Sequence, residues 1–318
     1  YEAIIPTIFP NAESVTAYGG EDSSPPQYGK VFLSIKPKNG RFISDFDKRQ
    51  LLDKLKSYSV AGIRQEFIDL KYLYVEIDTN VYYNTNAVAN VNNLKTTIRN
   101  SLETYASSSD LNSFGSRFKY SKVLKIIDDS SSAVTSNITK VILRRNLDVD
   151  TANFAQYELC YGNKFNINPA GYNIKSTGFT INGFNDIAYI TDVPNKNASG
   201  GLDGSNMGVL SVVSKNNKGE QRVLVKDAGV VDYKKGEVIL NTINITSTVS
   251  DNNIIEVQAF PESNDVVGLK DLYLSFDVSK STINTVKDVI ASGEDVSGVV
   301  FTRDYYTSSY SNGDLERK

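Results

Sequence analysis

The chain has 318 residues, a net charge of −3 and 40% hydrophobic residues, which together indicate a globular protein of two or three domains. The slightly acidic balance gives no overall attraction for the phosphates of a nucleic acid, and no apolar run reaches the ~18 residues that span a bilayer. Histidine is absent and Cys160 is the only cysteine, which excludes Ser-His and Cys-His nucleophile pairs, His-ligated metal sites and internal disulfides.

These counts make an enzyme less expected, although they leave catalysis by carboxylates, lysine or tyrosine open. We predict no catalytic residues, no cofactor, no metal site, and neither a nucleic acid nor a membrane as partner. The lack of disulfides is typical of folding in a reducing cytosol. The chain starts at Tyr1 rather than at Met and shows no secretory signal, so we expect a fragment of a longer protein.

Residues 1–30 are predicted to form an extended arm or linker, because Pro6, Pro10, Pro25 and Pro26 exclude a long helix. Residues 31–150 are predicted to form an α+β domain. Its helices follow from apolar spacing and from capping residues, Ser44 with Asp47 for the first and Asn90 for the second. The expected order is strand 31–35, helix 44–58, strand 68–83, helix 90–105, helix 118–128 and strand 138–147.

The long strand 68–83 has two different faces. Leu73, Val75 and Ile77 lie on an apolar face that we expect to pack against helices. The opposite face is polar but rich in tyrosine, a residue favoured at wet interfaces because it combines apolar area with a hydroxyl. Tyr72, Tyr74 and Tyr82 are therefore candidate interface residues.

Residues 151–260 change to an Asn-, Gly- and Thr-rich composition and are predicted to form a β-rich domain. Residues 261–318 are predicted to contain a strand at 272–276, a short helix at 281–292 and a polar tail, 305–318, that is flexible or bound to a partner. The predicted fold class is α+β and multi-domain. The expected strands of the β-rich domain are 174–181, 187–193, 209–214, 222–226, a hairpin over 230–240, and 254–260.

Few local motifs suggest chemistry. Asp203 lies in a Gly-rich loop that resembles part of a calcium loop but lacks its bidentate Glu, so a polar connection is favoured. Arg144 and Arg145 project to opposite faces of their strand, where an exposed edge is favoured over a phosphate clamp. Cys160 alternates like a strand residue and is expected to be a small buried side chain.

Five stretches of sequence carry a resemblance to a known family. They resemble the baseplate wedge proteins of T-even-type contractile-tailed phages, within the baseplate J family, over most of the chain from about residue 30 to 277. The stretches are Leu51–Lys56 (LLDKLK), Lys71–Ile77 (KYLYVEI), Phe114–Ser121 (FGSRFKYS), Ile126–Asp129 (IIDD) and Val231–Glu237 (VDYKKGE).

The resemblance implies a non-enzymatic structural role in the virion, with assembly in the host cytoplasm. It implies two copies per wedge, contacts of the protein with itself and with other wedge proteins, and a ring that rearranges when the tail sheath contracts. A carbohydrate- or receptor-binding tail module that uses Tyr, Asn and Asp of residues 150–260 is the main alternative. A carboxylate-based glycosidase is a weaker one, since tryptophan is absent and no acidic pair stands out.

Overall fold

The computed structural model describes residues 1–23, 25–59, 62–215, 221–250 and 252–292. These residues are mostly β, with 45% in strands and 18% in helices. The predicted α+β class therefore holds only in part, because the helices lie in the first half of the chain and a small β-barrel follows them. Within the described ranges, no helix is long and apolar enough to cross a membrane.

Residues 1–68 form a three-stranded sheet with its own apolar core. The middle strand β2 pairs antiparallel with β1 and parallel with β3. Leu51 and Leu55 of the second helix pack into this core with Ile5 and Leu33. The elements are α1 (Ile5–Ile8), β1 (Ala12–Gly19), β2 (Lys30–Pro37), α2 (Asp45–Leu55) and β3 (Arg64–Phe67).

The structure differs here from the extended arm expected for residues 1–30. Strand β1 forms because the four prolines lie outside it, so every residue of the strand keeps its backbone donor. Pro6 lies in the first turn of α1, where a helix tolerates it. Helix α2 begins as predicted, since Ser44 Oγ accepts a hydrogen bond from Asp47 N at 3.1 Å.

The second, central sheet takes its strands from separate segments of residues 71–287, and β5 and β15 pair apart from it as a two-stranded sheet. The first segment contains β4 (Lys71–Tyr83), α3 (Val91–Ala106), β5 (Arg117–Phe118), α4 (Tyr120–Asp129) and β6 (Val134–Asp148). A long insertion then supplies β7 (Phe154–Cys160), β8 (Ile174–Ser176), β9 (Phe179–Ile181), β10 (Ala188–Pro194), β11 (Met207–Lys215), β12 (Gln221–Asp232) and β13 (Glu237–Thr248). The last part contains β14 (Ile254–Ala259), β15 (Val266–Val267), β16 (Leu272–Phe276) and β17 (Thr282–Lys287).

This central sheet has the strand order β16-β4-β6-β14-β8, and β17 pairs with β4 beyond the end of β16. Strands β16 and β17 run parallel to β4, whereas β6 runs antiparallel to it. Leu73, Val75 and Ile77 share one core with Ile98 of α3 and Ile127 of α4. The predicted apolar face of β4 thus packs against helices.

The helix predicted at 281–292 is wrong, because residues 282–287 form strand β17. Thr282, Ile283, Thr285 and Val286 are β-branched, and this favours extended backbone. Ile283 is buried, and β17 continues the edge that β16 begins beside β4. The tail predicted at 305–318 lies outside the described residues.

Strands β9 to β13 close into a small barrel. Strand β12 pairs with β11 and β13, and β13 pairs in turn with β9, so the ring β12-β11-β10-β9-β13 has no free edge. Strand β7 adds to β13 from outside. The predicted hairpin over 230–240 is the β12–β13 turn. Strand β14, expected with the β-rich segment, pairs instead with β6; the predicted domain boundaries themselves stay predictions.

Candidate interface and its buried arginines

Tyr72 and Tyr74 lie where residues 1–68 meet the central sheet. Their rings stack, with centroids 5.6 Å apart and planes 13° from parallel. Tyr72 donates its hydroxyl hydrogen to the backbone oxygen of Arg41 at 2.7 Å, and the Arg41 guanidinium donates to the Tyr74 hydroxyl. The Phe42 ring meets Tyr72 edge-on at 6.2 Å. We call these four residues the Arg41 clasp.

The Arg41 clasp is an aromatic and polar joint between two separate apolar cores. No buried apolar residue of the described chain belongs to both cores. Tyr74 is only 8% exposed, and burial raises the pKa of the Tyr72 hydroxyl. A further contact across the joint is the hydrogen bond that Phe114 N donates to Ser14 Oγ at 3.1 Å.

The structure brings two of the three candidate interface residues together. Tyr72 and Tyr74 contact Arg41 and Phe42 of the same chain, whereas Tyr82 lies about 30 Å farther along β4 by the usual rise per residue. Tyr82 is partly exposed. The sequence could not show that a loop of residues 1–68 covers the first two tyrosines.

Arg144 is the centre of a buried ionic network on the tyrosine face of β4. Its guanidinium donates to Glu76 through Nε, to Asp277 Oδ2 at 2.6 Å, and to Glu256 Oε1 at 3.5 Å. The guanidinium carbon also lies 4.1 Å from the centre of the Tyr74 ring. Burial raises the pKa of Glu76, and Arg144 acts in the opposite direction. We call Arg144 and these three carboxylates the Arg144 network.

Arg145 lies on the opposite face and has no such partners. Its Nη1 donates to the backbone oxygen of Cys160 at 2.7 Å, but its buried Nε has no hydrogen-bond partner among the described residues. Arg145 is 8% exposed, and burial lowers its pKa. The expected exposed edge is wrong for both arginines, because β6 lies between β4 and β14 in the sheet.

Arg145 lines a groove of about 520 Å³ between strand β7, which lies beside the barrel, and the central sheet. Cys160 also lines it and is partly rather than fully buried; burial raises the pKa of its thiol. The thiolate fraction near neutral pH is therefore small, which makes this thiol a weak nucleophile. The charged and thiol side chains that line this groove are Lys71, Arg145, Asp148, Glu158, Cys160 and Asp271.

A second cavity of about 280 Å³ opens at the barrel. Phe154 on its wall is 72% exposed. The Oδ1 atom of Asn244, also on the wall, is buried without a hydrogen-bond partner in the described part of the chain. An exposed ring beside amide groups can contact a polar ligand by stacking and by hydrogen bonding.

The loop around Asp203 is held by hydrogen bonds between its own residues. Asp203 Oδ1 accepts hydrogen bonds from Ser205 N at 2.8 Å and from Ser205 Oγ at 2.7 Å. These bonds lower the pKa of Asp203. Residues 1–292, apart from the positions not described, contain no group of three or more acidic or cysteine side chains placed to hold a metal ion.

Comparison with known proteins gives matches over the first half of the chain. Residues 1–68 match the family described as baseplate structural protein gp6, C-terminal domain I, and residues 71–146 match its C-terminal domain III. A relative, the baseplate wedge protein gp6 of Enterobacteria phage T4, is 27% identical over 127 residues. That alignment covers 40% of this chain and 19% of the relative, so the chain spans far less than the whole of that protein.

The boundary between the two matched families coincides with the joint that the Arg41 clasp spans. The first match ends at residue 68, in the connection after β3, and the second begins at Lys71, the first residue of β4. These matches confirm the resemblance found in the sequence: residues 1–68 and 71–146 correspond to two C-terminal domains of the phage baseplate wedge protein family of gp6.

Proposed function

We propose that this chain is a structural, non-enzymatic part of the tail baseplate in the virion, which associates with itself and with other wedge proteins to build a ring. The observation that carries the proposal is the match of residues 1–68 and 71–146 to two C-terminal domains of a baseplate structural protein. The Arg144 network serves packing rather than chemistry, since its charged groups are held by each other.

Residues 1–68 offer surface for such association. Four aromatic side chains of this part are more than half exposed, and aromatic residues are enriched in the cores of protein interfaces. The four residues are Tyr28 (83%), Phe46 (68%), Phe42 (56%) and Tyr58 (53%).

Light scattering over a wide concentration range tests self-association directly. We expect a mass that exceeds the 35.1 kDa of one chain and grows with concentration. Phe46→Asn changes an exposed residue and should reduce the association without altering the thermal midpoint. A strict monomer at high concentration, also when the other wedge proteins are added, contradicts the proposal.

A ring that rearranges needs rigid modules joined by contacts that can separate. The Arg41 clasp fits this requirement, because it joins two cores through a few aromatic and polar contacts rather than through a shared apolar interface. The candidate tyrosines then act in two ways: Tyr72 and Tyr74 hold the joint, and Tyr82 remains available to a neighbour. A Tyr72→Ala, Tyr74→Ala variant that folds and keeps the radius of gyration of the parent chain would count against the first role.

The alternative of a carbohydrate-binding module draws support from one observation, the barrel cavity with the exposed Phe154 and the unpartnered Asn244 oxygen. Sugars are bound by aromatic rings that stack on them and by amide groups that bond their hydroxyls. A glycan array tests this directly. Binding that is lost in Phe154→Ala would favour this function, and an array without binding would exclude the tested sugars.

A further inference from the structure

The barrel cavity lies where two barrel strands separate. Strand β12 pairs with the start of β13, but beyond Leu240 strand β13 pairs with β9 instead. The cavity of about 280 Å³ fills the gap between Val225 of β12 and residues 241–244 of β13. The Asn241 side chain spans this gap, since its Nδ2 donates to the Asp227 backbone oxygen at 3.2 Å. The gap is therefore a defined opening in the barrel wall.

The cavity has room for an aromatic ring. An apolar cavity of about 150 Å³ is large enough to bind benzene, and the barrel cavity, at about 280 Å³, is larger. Its wall is mainly apolar and includes Ile181, Phe184 and Val225. Asp227 is the one charged residue among the eleven that line it. A wall of this composition favours an apolar group over a charged one.

An aromatic ring stands beside the cavity on the same surface. Phe154 of β7 lies at the cavity wall, opposite Asn244 of β13, and is 72% exposed. Burying such a ring in a partner would favour association, because apolar area leaves water. A surface that carries both a protruding ring and a cavity for one is complementary to itself. Two copies related by a two-fold axis can therefore each place a ring in the other's cavity.

We propose that the barrel forms a two-fold contact between two copies of this chain, in which Phe154 of each copy inserts into the barrel cavity of the other. The contact rests on the proposed self-association and assigns a surface to it. A ring of chains joined by two-fold contacts needs two different contacts on each chain. The exposed aromatic side chains of residues 1–68 offer one contact, and the barrel offers the second on a separate part of the fold.

Complementation between two defective variants tests this contact. All chains carry Phe46→Asn, which weakens the contact proposed for residues 1–68 and leaves the barrel contact to be measured by analytical ultracentrifugation. Phe154→Ala removes the ring, and Thr242→Trp fills the cavity from an exposed position on its wall. Each variant should raise the dissociation constant of the dimer at least ~100-fold. Two buried rings are lost in each case, and each ring contributes a factor of about ten or more.

An equimolar mixture of the two variants gives the decisive result. A mixed dimer keeps one insertion, because the ring of the Thr242→Trp copy still fits the open cavity of the Phe154→Ala copy. The dissociation constant of this mixed dimer should be roughly tenfold below that of either variant alone. A mixture that associates no better than its components overturns the proposal. A misfolded variant could not rescue its counterpart, so association of the mixture also shows that both variants fold.

Control measurements separate this contact from the other proposed roles. Ile290→Ala truncates a side chain that is 93% exposed outside the barrel and should change the dissociation constant less than twofold; a loss equal to that of Phe154→Ala overturns the proposal. A Phe46→Asn chain that stays monomeric while the parent chain associates also overturns it, but leaves the proposed role in assembly intact. Glycan binding that Phe154→Ala abolishes without any change in mass would overturn it as well, since the cavity would then hold a sugar.

Discussion

Replacing Arg144 by methionine removes the cation of the Arg144 network while keeping a side chain of similar length. Glu76 is then left as a buried carboxylate whose remaining side-chain donor is Gln258 Nε2, at 2.9 Å. The carboxylates of Asp277 and Glu256 are destabilised less. Their side chains are 18% and 23% exposed to water, and Lys280 still pairs with Glu256. The destabilisation therefore arises mainly at Glu76. We expect the free energy of unfolding to fall by about 3–5 kcal/mol, the usual cost of breaking one buried pair.

The pH dependence of this loss identifies its cause. Burial already raises the pKa of Glu76, and removing Arg144 raises it further. A carboxyl with a raised folded-state pKa binds a proton more readily in the folded than in the unfolded chain. The free energy of unfolding of the variant therefore increases as the pH falls from 7 through the folded-state pKa towards the ordinary glutamate value of about 4.3.

Urea unfolding followed by circular dichroism at pH 7 and pH 5 measures both effects. We expect the deficit of Arg144→Met against the parent chain to be smaller at pH 5 than at pH 7. The matched control is the double variant Glu76→Met, Arg144→Met, which removes the unpaired carboxylate as well and should recover most of the loss. A deficit below about 1 kcal/mol, an equal deficit at both pH values, or no recovery in the double variant would refute this account.

Three other substitutions test separate parts of the fold. Gly236 has φ +72°, and a Cβ there would lie 2.0 Å from the Asn163 backbone oxygen. Gly236→Ala should therefore lower the free energy of unfolding in urea by at least ~2 kcal/mol. An unchanged urea midpoint would contradict the strained turn. Asp192 accepts a hydrogen bond from Ile174 N at 2.7 Å. Asp192→Ala should lower the free energy of unfolding by about 3 kcal/mol and speed hydrogen exchange of the Ile174 amide. Unchanged exchange would argue against this hydrogen bond. Arg41→Ala should cost less than ~1 kcal/mol yet enlarge the radius of gyration in X-ray scattering, and an unchanged radius would show that the joint does not depend on the Arg41 clasp.

The elements that the sequence predicts well are those specified by neighbouring residues. Helices α2, α3 and α4 follow from apolar spacing, and Ser44 and Asn90 cap the first two as expected. Strand β1 differs from the expected arm because the four prolines flank it rather than lie in it, and strand β17 differs from the expected helix because it depends on a distant partner. Strand β17 pairs with β4 across about 200 residues of chain, and no local pattern carries that information.

The candidate site shows the same division between local and distant information. Alternation along β4 correctly predicts that Tyr72 and Tyr74 share a face. It does not show that Arg144 lies opposite Tyr74 in the register of β6, nor that Arg41 covers that face. The burial of both arginines depends on β14, which the chain reaches only after the barrel.

Strands β16 and β17 come last in the chain order of the described elements, and this affects folding during synthesis. Both strands pair along the same side of β4, and both are made after the barrel has been synthesised. Until then the thirteen residues of β4 have an unpaired edge. A long unpaired edge is a template for pairing with another chain. A chain that stalls or is cleaved before residue 272 should therefore aggregate through β4, so residues 272–287 protect this protein during its own synthesis.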